Sequence, residues 1–157
     1  MSNEVVTFIP SLRAFARSLC YNAADADDLV QETLMRSIEH FDKFTPGTNL
    51  RAWLFTIMRN RFYTNTVKRA RERTGDLDCV SAQLSTPATQ EWSLRGKELE
   101  QALAKLPVHY REALVLVVVL GTNYIDAAQV LNCEVGTIKS RINRARNLLR
   151  EALGETV

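Results

Sequence analysis

Basic side chains are concentrated in two separate segments of this sequence. Residues 50–73 contain a single acid, Glu72, and residues 139–150 contain none. The basic residues of the two segments are Arg51, Arg59, Arg61, Lys68, Arg69, Arg71 and Arg73, then Lys139, Arg141, Arg144, Arg146 and Arg150. Two such segments favour a polyanion that is contacted at two places. Each segment could also be no more than a solvated helix face.

An acidic group precedes the first basic segment. Asp25, Asp28 and Glu32 recur at spacings of three and four, so they share one side of a helix. That side could hold a metal ion, but such sites take ligands from a second element, and no second acidic group follows at matching spacing. We therefore favour an acidic helix face that docks on a basic partner.

The remaining reactive side chains form no recognisable site. Cys20, Cys79 and Cys133 are widely spaced, and neither His40 nor His109 stands at ligand spacing from any of them. No nucleophile is paired with a general base. The sequence therefore predicts structural thiols, no metal, no cofactor, no small-molecule substrate and no enzymatic activity.

The composition permits a folded protein of one domain or of two small ones. The 157 residues are 46% hydrophobic and 24% charged, and the net charge is only +2. The longest apolar run, 113–120, is too short to span a membrane. The N-terminus lacks the basic start of a secretory signal, so we expect a cytoplasmic protein without membrane insertion.

Hydrophobic periodicity predicts three helices in the N-terminal half. The first runs from Val5 to Leu19, and the second from a cap at Asp25 to near Phe41. A Pro-Gly loop, 43–49, leads to a third helix from Leu50, capped by Asn49, to about Arg73. Residues expected to face inward include Leu29, Val30, Thr33, Leu34 and Ile38 of the second helix, and Leu50, Trp53, Leu54, Ile57, Met58 and Phe62 of the third.

Periodicity fails over 75–89, where Gly75 and Pro87 stand among Asp, Ser and Thr residues, and we interpret 75–92 as a flexible linker. Helix resumes near Ser93, with Leu94, Leu99, Leu103 and Leu106 inward. The β-branched run 113–120 would also suit a buried strand, but without a partner strand we interpret it as a buried helix ending at Gly121. The sequence thus predicts an all-α protein with two small helical domains, 1–74 and 93–157.

The end of the chain has the pattern of a helix-turn-helix. A short helix, 124–131, is followed by a three-residue turn and a second helix from Val135 to about Leu149. The second helix buries Val135, Ile138, Ile142, Ala145 and Leu149, and its outer face carries Gly136, Thr137, Lys139, Ser140, Arg141, Asn143 and Arg144. This face offers donors for base edges and phosphates. An ordinary helical bundle remains the alternative.

The segment Asn123–Arg141, above all its Val-Gly-Thr-Ile-Lys-Ser-Arg end, resembles the promoter-reading helix-turn-helix of bacterial sigma factors, especially the extracytoplasmic-function (ECF) group of the sigma-70 family. The family often has Gly at Asn132 and Glu at Asp126. Asn tolerates a left-handed backbone, so the turn is expected to form. The resemblance implies contacts with the −35 promoter element by Gly136, Thr137, Lys139, Ser140, Arg141 and Arg144.

The N-terminal half carries two further resemblances to sigma factors. The segment Asp25–Thr33 is similar to their polymerase-binding helix, which implies that Asp28, Gln31 and Glu32 contact core RNA polymerase. The segment Gly47–Asn60 is similar to the part that melts and reads the −10 element, and loop 43–49 would receive a flipped base. The implied −10 residues are Lys43, Arg51, Arg59, Asn60, Arg61, Tyr63, Lys68 and Arg69. Phe55 and Tyr63 are expected to lie off the main core stripe and could stack on bases, whereas Trp53 fits the core better.

Taken together, the residues Leu50–Leu54 and Arg111–Leu114 look most like the alphaproteobacterial general stress sigma factors. The resemblance implies a transcription initiation factor with three partners, namely core RNA polymerase, promoter DNA and an anti-sigma factor. One rival is a helix-turn-helix regulator whose N-terminal half dimerises or senses a ligand, but it would have no reason to carry Asp25–Thr33. A second is a decoy that binds an anti-sigma factor, but it should lose basic residues such as Arg141.

Overall fold

The computed structural model describes residues 2–20, 22–72 and 94–154. Helices joined by short turns and loops make up the described residues, which include no strand. The helices are α1 (Ser2–Thr7), α2 (Ile9–Leu19), α3 (Ala23–Glu39), α4 (Leu50–Glu72), α5 (Leu94–Lys105), α6 (Val108–Leu114), α7 (Tyr124–Leu131) and α8 (Val135–Leu153). None of these described helices is long and apolar enough to cross a membrane. The predicted linker, 75–92, lies outside the described residues.

The first predicted helix is in fact two helices. Its break falls between Thr7 and Ile9, and Pro10 occupies the first turn of α2. Proline has no N–H to continue the hydrogen-bond ladder of the preceding turn, so it starts a helix more readily than it extends one. The apolar periodicity continues across the break, since Val5 and Leu12 are both buried, and it therefore conceals the interruption.

Helix α3 begins and ends differently from the prediction. Asn22, and not Asp25, caps it, because the Asn22 side chain accepts a hydrogen bond of 2.7 Å from the Asp25 backbone N–H. The helix ends at Glu39, and a 3₁₀ turn, Phe41–Lys43, follows. Ile38 was expected inside but is 66% exposed, since Ser37 takes the neighbouring buried position.

Helix α4 has the predicted start, where Asn49 accepts a hydrogen bond from the Ala52 N–H at 3.2 Å. The prediction that Phe55 lies off the core is wrong. Phe55 is fully buried and packs edge-on against Phe15, with ring centroids 5.1 Å apart. Trp53 is half-buried and contacts the rings of Phe41 and Phe44, as a residue at the edge of the core would.

The apolar run 113–120 is helical, as predicted, but only its first half is buried. Helix α6 passes into a π-helical turn, Val115–Val119, and Val118 and Val119 are 49% and 62% exposed. A π turn adds a residue to the helix and shifts which side chains face inward. Leu99 of α5, expected inside, is also 44% exposed, whereas Leu106 is buried.

The helix-turn-helix is formed by α7 and α8. Asn132 adopts the left-handed conformation, with φ 54° and ψ 52°, in the turn between them. Ile138, Ile142 and Ala145 are buried, and Val135 is half-buried. Helix α8 extends to Leu153, one turn beyond the prediction. The turn thus forms with Asn in place of the more usual Gly.

The two groups of helices share one continuous core. Helices α2, α3 and α4 pack together, as do α6, α7 and α8, while α2 also packs on α6 and α4 on α7. The buried residue Arg111 of α6 links the groups by donating to the Ser18 carbonyl of α2. The described helices therefore form a closed arrangement in which the C-terminal helices cover part of α4.

Candidate functional site

The outer face of α8 presents the basic side chains named by the sequence. Lys139, Ser140 and Arg144 are exposed, and Thr137 and Arg141 are half-buried. The Lys139 ammonium lies 5.6 Å from the centre of the Tyr124 ring, which orients it above α7. With no acid between residues 135 and 150, this face can accept a polyanion without like-charge repulsion.

The start of α8 adds backbone donors to this face. The Glu134 side chain makes no capping hydrogen bond. Open space surrounds the Cα of exposed Gly136. The N–H groups of a first helical turn, together with the helix dipole, suit a phosphate oxygen.

The polar side chains on the acidic face of α3 are of two kinds, those exposed to solvent and one that is hydrogen-bonded to α4. Asp28 and Gln31 are exposed. Glu32 is half-buried and accepts hydrogen bonds from Arg61 at 2.9 Å and from Asn65 at 3.1 Å. Burial acts to raise the pKa of Glu32, but the Asn65 and Arg61 hydrogen bonds outweigh it and leave that pKa below its usual value. Glu32 therefore ties α3 to α4.

Two apolar side chains extend the exposed face of α3. Met35 and Ile38 are 62% and 66% exposed. With Gln31 they follow the spacing i, i+4, i+7, which places them on one side of the helix. Ile38 was missed because it was assigned to the core, although this spacing could have found it. A mixed polar and apolar helix face is suited to docking on another protein.

A basic pocket of about 300 Å³ lies between α3, the 3₁₀ turn and α4. Its lining contains several cations and no carboxylate. The lining residues are Arg36, His40, Lys43, Trp53, Ile57, Asn60, Arg61 and Thr64. The pocket unites Lys43, Asn60 and Arg61 of the predicted −10 set. Arg36 and His40 were missed, although their spacing of four was visible in the sequence.

Three other members of the −10 set contact the C-terminal half of the chain. The Arg59 Nε donates to both carboxylate oxygens of Glu112, at 3.0 and 3.2 Å, and its guanidinium lies over the Tyr63 ring. The Tyr63 hydroxyl lies 3.4 Å from the same carboxylate. Burial raises the pKa of Tyr63, and the negative charge of Glu112 raises it further. Arg51 donates to the Thr122 hydroxyl at 3.2 Å.

The last two members of the set lie toward the end of α4. Lys68 and Arg69 are exposed, and Arg69 lies 3.7 Å from the Asp25 carboxylate. The predicted −10 residues thus fall into three places, namely the pocket, the contact with the C-terminal half of the chain and the end of α4.

The described residues contain no group of three or more His, Cys, Asp or Glu side chains arranged to hold a metal ion. Cys20 and Cys133 are free thiols. Burial raises the pKa of Cys20 to about 12, and the Asp25 carboxylate adds to the rise. A thiol of this kind is unreactive at neutral pH, consistent with a structural role. Cys79 lies outside the described residues.

Comparison with known families matches both halves of the chain. The model for sigma-70 region 2 matches residues 5–72, and the model for sigma-70 region 4 matches residues 96–149. An ECF RNA polymerase sigma factor, EcfG of Rhodopseudomonas palustris, is 48% identical over 153 residues, which cover 98% of this chain and 84% of that protein. The chain belongs to the ECF sigma factors of the sigma-70 family.

Solved structures of relatives share the fold of this sigma factor. RpoE of Bartonella quintana, in complex with the anti-sigma factor NepR, is 44% identical and superposes with a TM-score of 0.88 over 97% of this chain and 95% of its own. CnrH of Cupriavidus metallidurans, in complex with the cytosolic domain of CnrY, is 27% identical, with a TM-score of 0.67 over 97% and 86% of the two chains. A single superposition on RpoE thus includes both regions of this sigma factor.

Proposed function

We propose that this sigma factor binds core RNA polymerase and directs it to promoters by reading the −35 element and melting the −10 element. The observation that carries the proposal is the outer face of α8, which is basic and lacks acids on the recognition helix of a helix-turn-helix. It requires no catalytic residue, because the polymerase performs the chemistry, and no cofactor. It acts in the cytoplasm, where polymerase and promoters are found.

The −35 element would be read by the first three turns of α8. The Lys139, Ser140 and Arg144 side chains are exposed there, and Arg141 lies beside them. Arginine can donate two hydrogen bonds to guanine in the major groove, and serine can contact several bases. Gly136 and Thr137 at the helix start would fix the register by contacting a phosphate.

The −10 element would be read at the basic pocket. A base that leaves the stack needs an aromatic or apolar wall and polar groups for its edge. The pocket supplies the Trp53 ring and the Asn60 amide, while Lys43 and Arg61 supply positive charge for the strand. Further along α4, Lys68 and Arg69 are exposed and would follow the same backbone.

Core polymerase would dock on the exposed face of α3. Asp28 and Gln31 supply polar contacts there, Met35 supplies apolar area, and Glu32 holds α3 against α4 through Arg61. A docking surface of this kind combines an apolar centre with charged groups that select a basic partner.

We also propose that an anti-sigma factor controls this protein. The complex of RpoE with NepR supports a partner of that kind, since RpoE is 44% identical and matches this chain over 97% of its length. A role in a stress response rests on the resemblance of Leu50–Leu54 and Arg111–Leu114 to the alphaproteobacterial general stress sigma factors.

Gel filtration with purified core RNA polymerase tests the docking surface. The full chain should co-elute with polymerase, and Asp28→Arg should abolish co-elution, because it places a positive charge before a basic groove. Glu4→Arg is the matched control, since it reverses a charge at an exposed position of α1, and this variant should co-elute normally. Failure of the unmodified chain to co-elute would overturn the proposed function.

A further inference from the structure

Resting on the proposed function, we propose that Arg36 and His40, together with Lys43, hold a phosphate of the −10 strand beside the base that enters the basic pocket. These three residues line the part of the pocket that is formed by the end of α3 and the 3₁₀ turn. Helix α3 would thus contact DNA on one flank and core polymerase on another.

The two walls of the basic pocket differ in their chemistry. The α4 wall combines an aromatic ring, an aliphatic side chain, an amide and a hydroxyl with one cation, and its residues are Trp53, Ile57, Asn60, Arg61 and Thr64. The other wall, which we call the α3 wall, consists of Arg36, His40 and Lys43. A base needs a flat apolar surface and polar groups for its edge, whereas a phosphate needs positive charge. The α4 wall therefore suits the base, and the α3 wall suits the phosphate.

Backbone hydrogen bonds place the three residues of the α3 wall on successive turns. The His40 N–H donates to the Arg36 carbonyl at 3.0 Å, and the Lys43 N–H donates to the His40 carbonyl at 2.8 Å. Residues one turn apart have Cβ atoms about 5–6 Å from each other, so their long side chains can reach a single phosphate. Arg36 and His40 are half-buried, which limits the directions in which their side chains can point.

Arg36 is a cation without a bound carboxylate. Among the described residues, its side chain forms no hydrogen bond and no ion pair. The Glu32 carboxylate, one turn earlier on α3, instead accepts a hydrogen bond from Arg61 at 2.9 Å. No carboxylate lines the pocket, although a Glu39 carboxylate oxygen lies 4.0 Å from the His40 Nε2. The Arg36 guanidinium is therefore available to an acceptor from outside the chain, and a phosphate is the acceptor that its geometry matches.

The α3 wall lies on a different flank of α3 from the proposed polymerase contacts. With 3.6 residues per turn, Arg36 lies roughly 100° around the helix from Met35 and roughly 140° from Gln31. Met35 and Gln31 are exposed, whereas Arg36 is half-buried beside the pocket. A polymerase docked on the exposed flank can therefore leave the α3 wall open, and one helix can contact both partners during initiation.

The test measures how tightly polymerase holoenzyme binds a fluorescein-labelled single strand that covers the −10 element of a promoter active in run-off transcription. The strand is prepared with one phosphate at a time replaced by an uncharged methylphosphonate. Arg36→Gln removes a charge from the α3 wall, and His40→Ala removes a hydrogen-bond donor. Arg17→Gln is the matched control, because it makes the same chemical change as Arg36→Gln at an exposed position of α2.

For the unmodified holoenzyme, a methylphosphonate at one position should weaken binding about tenfold, since a charge-assisted hydrogen bond is lost. At that position the same replacement should cost Arg36→Gln only about threefold, because one partner of the phosphate is already absent. On the unmodified strand, Arg36→Gln should lower the slope of log affinity against log salt by about 0.7, the value for one phosphate contact on a single strand. His40→Ala should show the same loss of methylphosphonate sensitivity, and Arg17→Gln should show none.

Base preference separates a phosphate contact from a base contact. Arg36→Gln should weaken binding by the same factor whichever base enters the pocket. Asn60→Ala, which changes the α4 wall, should instead alter the ranking of bases and keep the full methylphosphonate effect.

Equal methylphosphonate effects in the unmodified chain and in Arg36→Gln at every position would overturn the proposal. So would failure of a folded Arg36→Gln variant to co-elute with core polymerase, because Arg36 would then belong to the polymerase contact. If circular dichroism shows that Arg36→Gln loses helix content, His40→Ala decides the test by the same comparison. The proposed function fails in a different way, since the unmodified chain itself would not co-elute with core polymerase, and the phosphate contact would fall with it.

Discussion

At the scale of single residues, the outer face of α8 holds groups of two kinds. Some would specify sequence and some would only position the protein on DNA. We expect Arg141 to be of the first kind because it lies in the middle of the exposed face, although it is half-buried, whereas Gly136 can offer only backbone contacts. This difference leads to a prediction for Arg141.

Arg141→Ala should weaken recognition of the −35 element by roughly 1–3 kcal/mol if Arg141 contacts a base, with relaxed preference at that base pair. The measurement is competitive binding of polymerase holoenzyme to promoters mutated singly across the −35 element. Arg150→Ala is the control, because Arg150 is exposed near the end of the same helix. Equal weakening on every sequence would assign Arg141 to a phosphate contact.

Glu32 links stability to pH through its contacts with Arg61 and Asn65. Its pKa lies below the usual value of 4.5 in the folded protein, so the unfolded chain binds a proton first as the pH falls. The stabilisation is therefore complete above about 4.5 and is lost as the pH drops through the lower, folded value. The free-energy difference between the unmodified chain and Glu32→Gln, from urea titrations, should be constant from pH 7 to 5 and shrink below 4.5. A difference that grew on acidification would contradict this assignment.

Single residues were predictable from sequence where the cause is local. Asn49 caps α4 as expected, since a cap depends only on the neighbouring residues. Phe55 was expected off the core, yet it packs on Phe15, and the pairing of Arg59 with Glu112 was not predicted. Both partners lie about forty or more residues away in the chain, and helical periodicity carries no information about such distances.

At the scale of elements, the helix-turn-helix is the part of the molecule whose structure the sequence predicts best. The bounds of α7, the left-handed Asn132 and the start of α8 all agree with the sequence. The pattern of small and apolar residues is dense here, and the turn length fixes how the two helices cross. The break between α1 and α2 was missed because the apolar pattern continues through it.

The turn at Asn132 gives a prediction for stability. Asn132→Ala should lower the free energy of unfolding by about 1–2 kcal/mol, because alanine lacks the short polar side chain that lets asparagine tolerate the left-handed backbone seen at φ 54°. Asn132→Gly is the control and should be close to the unmodified chain, since glycine adopts this conformation freely. Urea denaturation followed by circular dichroism measures both variants. Equal stability of the alanine and glycine variants would exclude a left-handed turn.

At the scale of the whole molecule, the small net charge of +2 is the sum of surfaces with opposite sign. The basic face of α8 and the basic pocket would meet DNA, while the acidic face of α3 would meet polymerase. The sequence revealed these surfaces but not the closed packing that joins them. Packing of α4 on α7 depends on residues far apart in the chain, so only the structure shows that Glu112 pairs with Arg59.

Promoter-directed initiation is the central claim, and run-off transcription with purified core RNA polymerase tests it most directly. The template is a candidate promoter with intact −35 and −10 elements, compared with the same template mutated in either element. We predict a discrete transcript that requires this protein, both promoter elements and an intact α8 face. The claim would be contradicted if core polymerase gave the same transcripts with and without the protein on every candidate promoter.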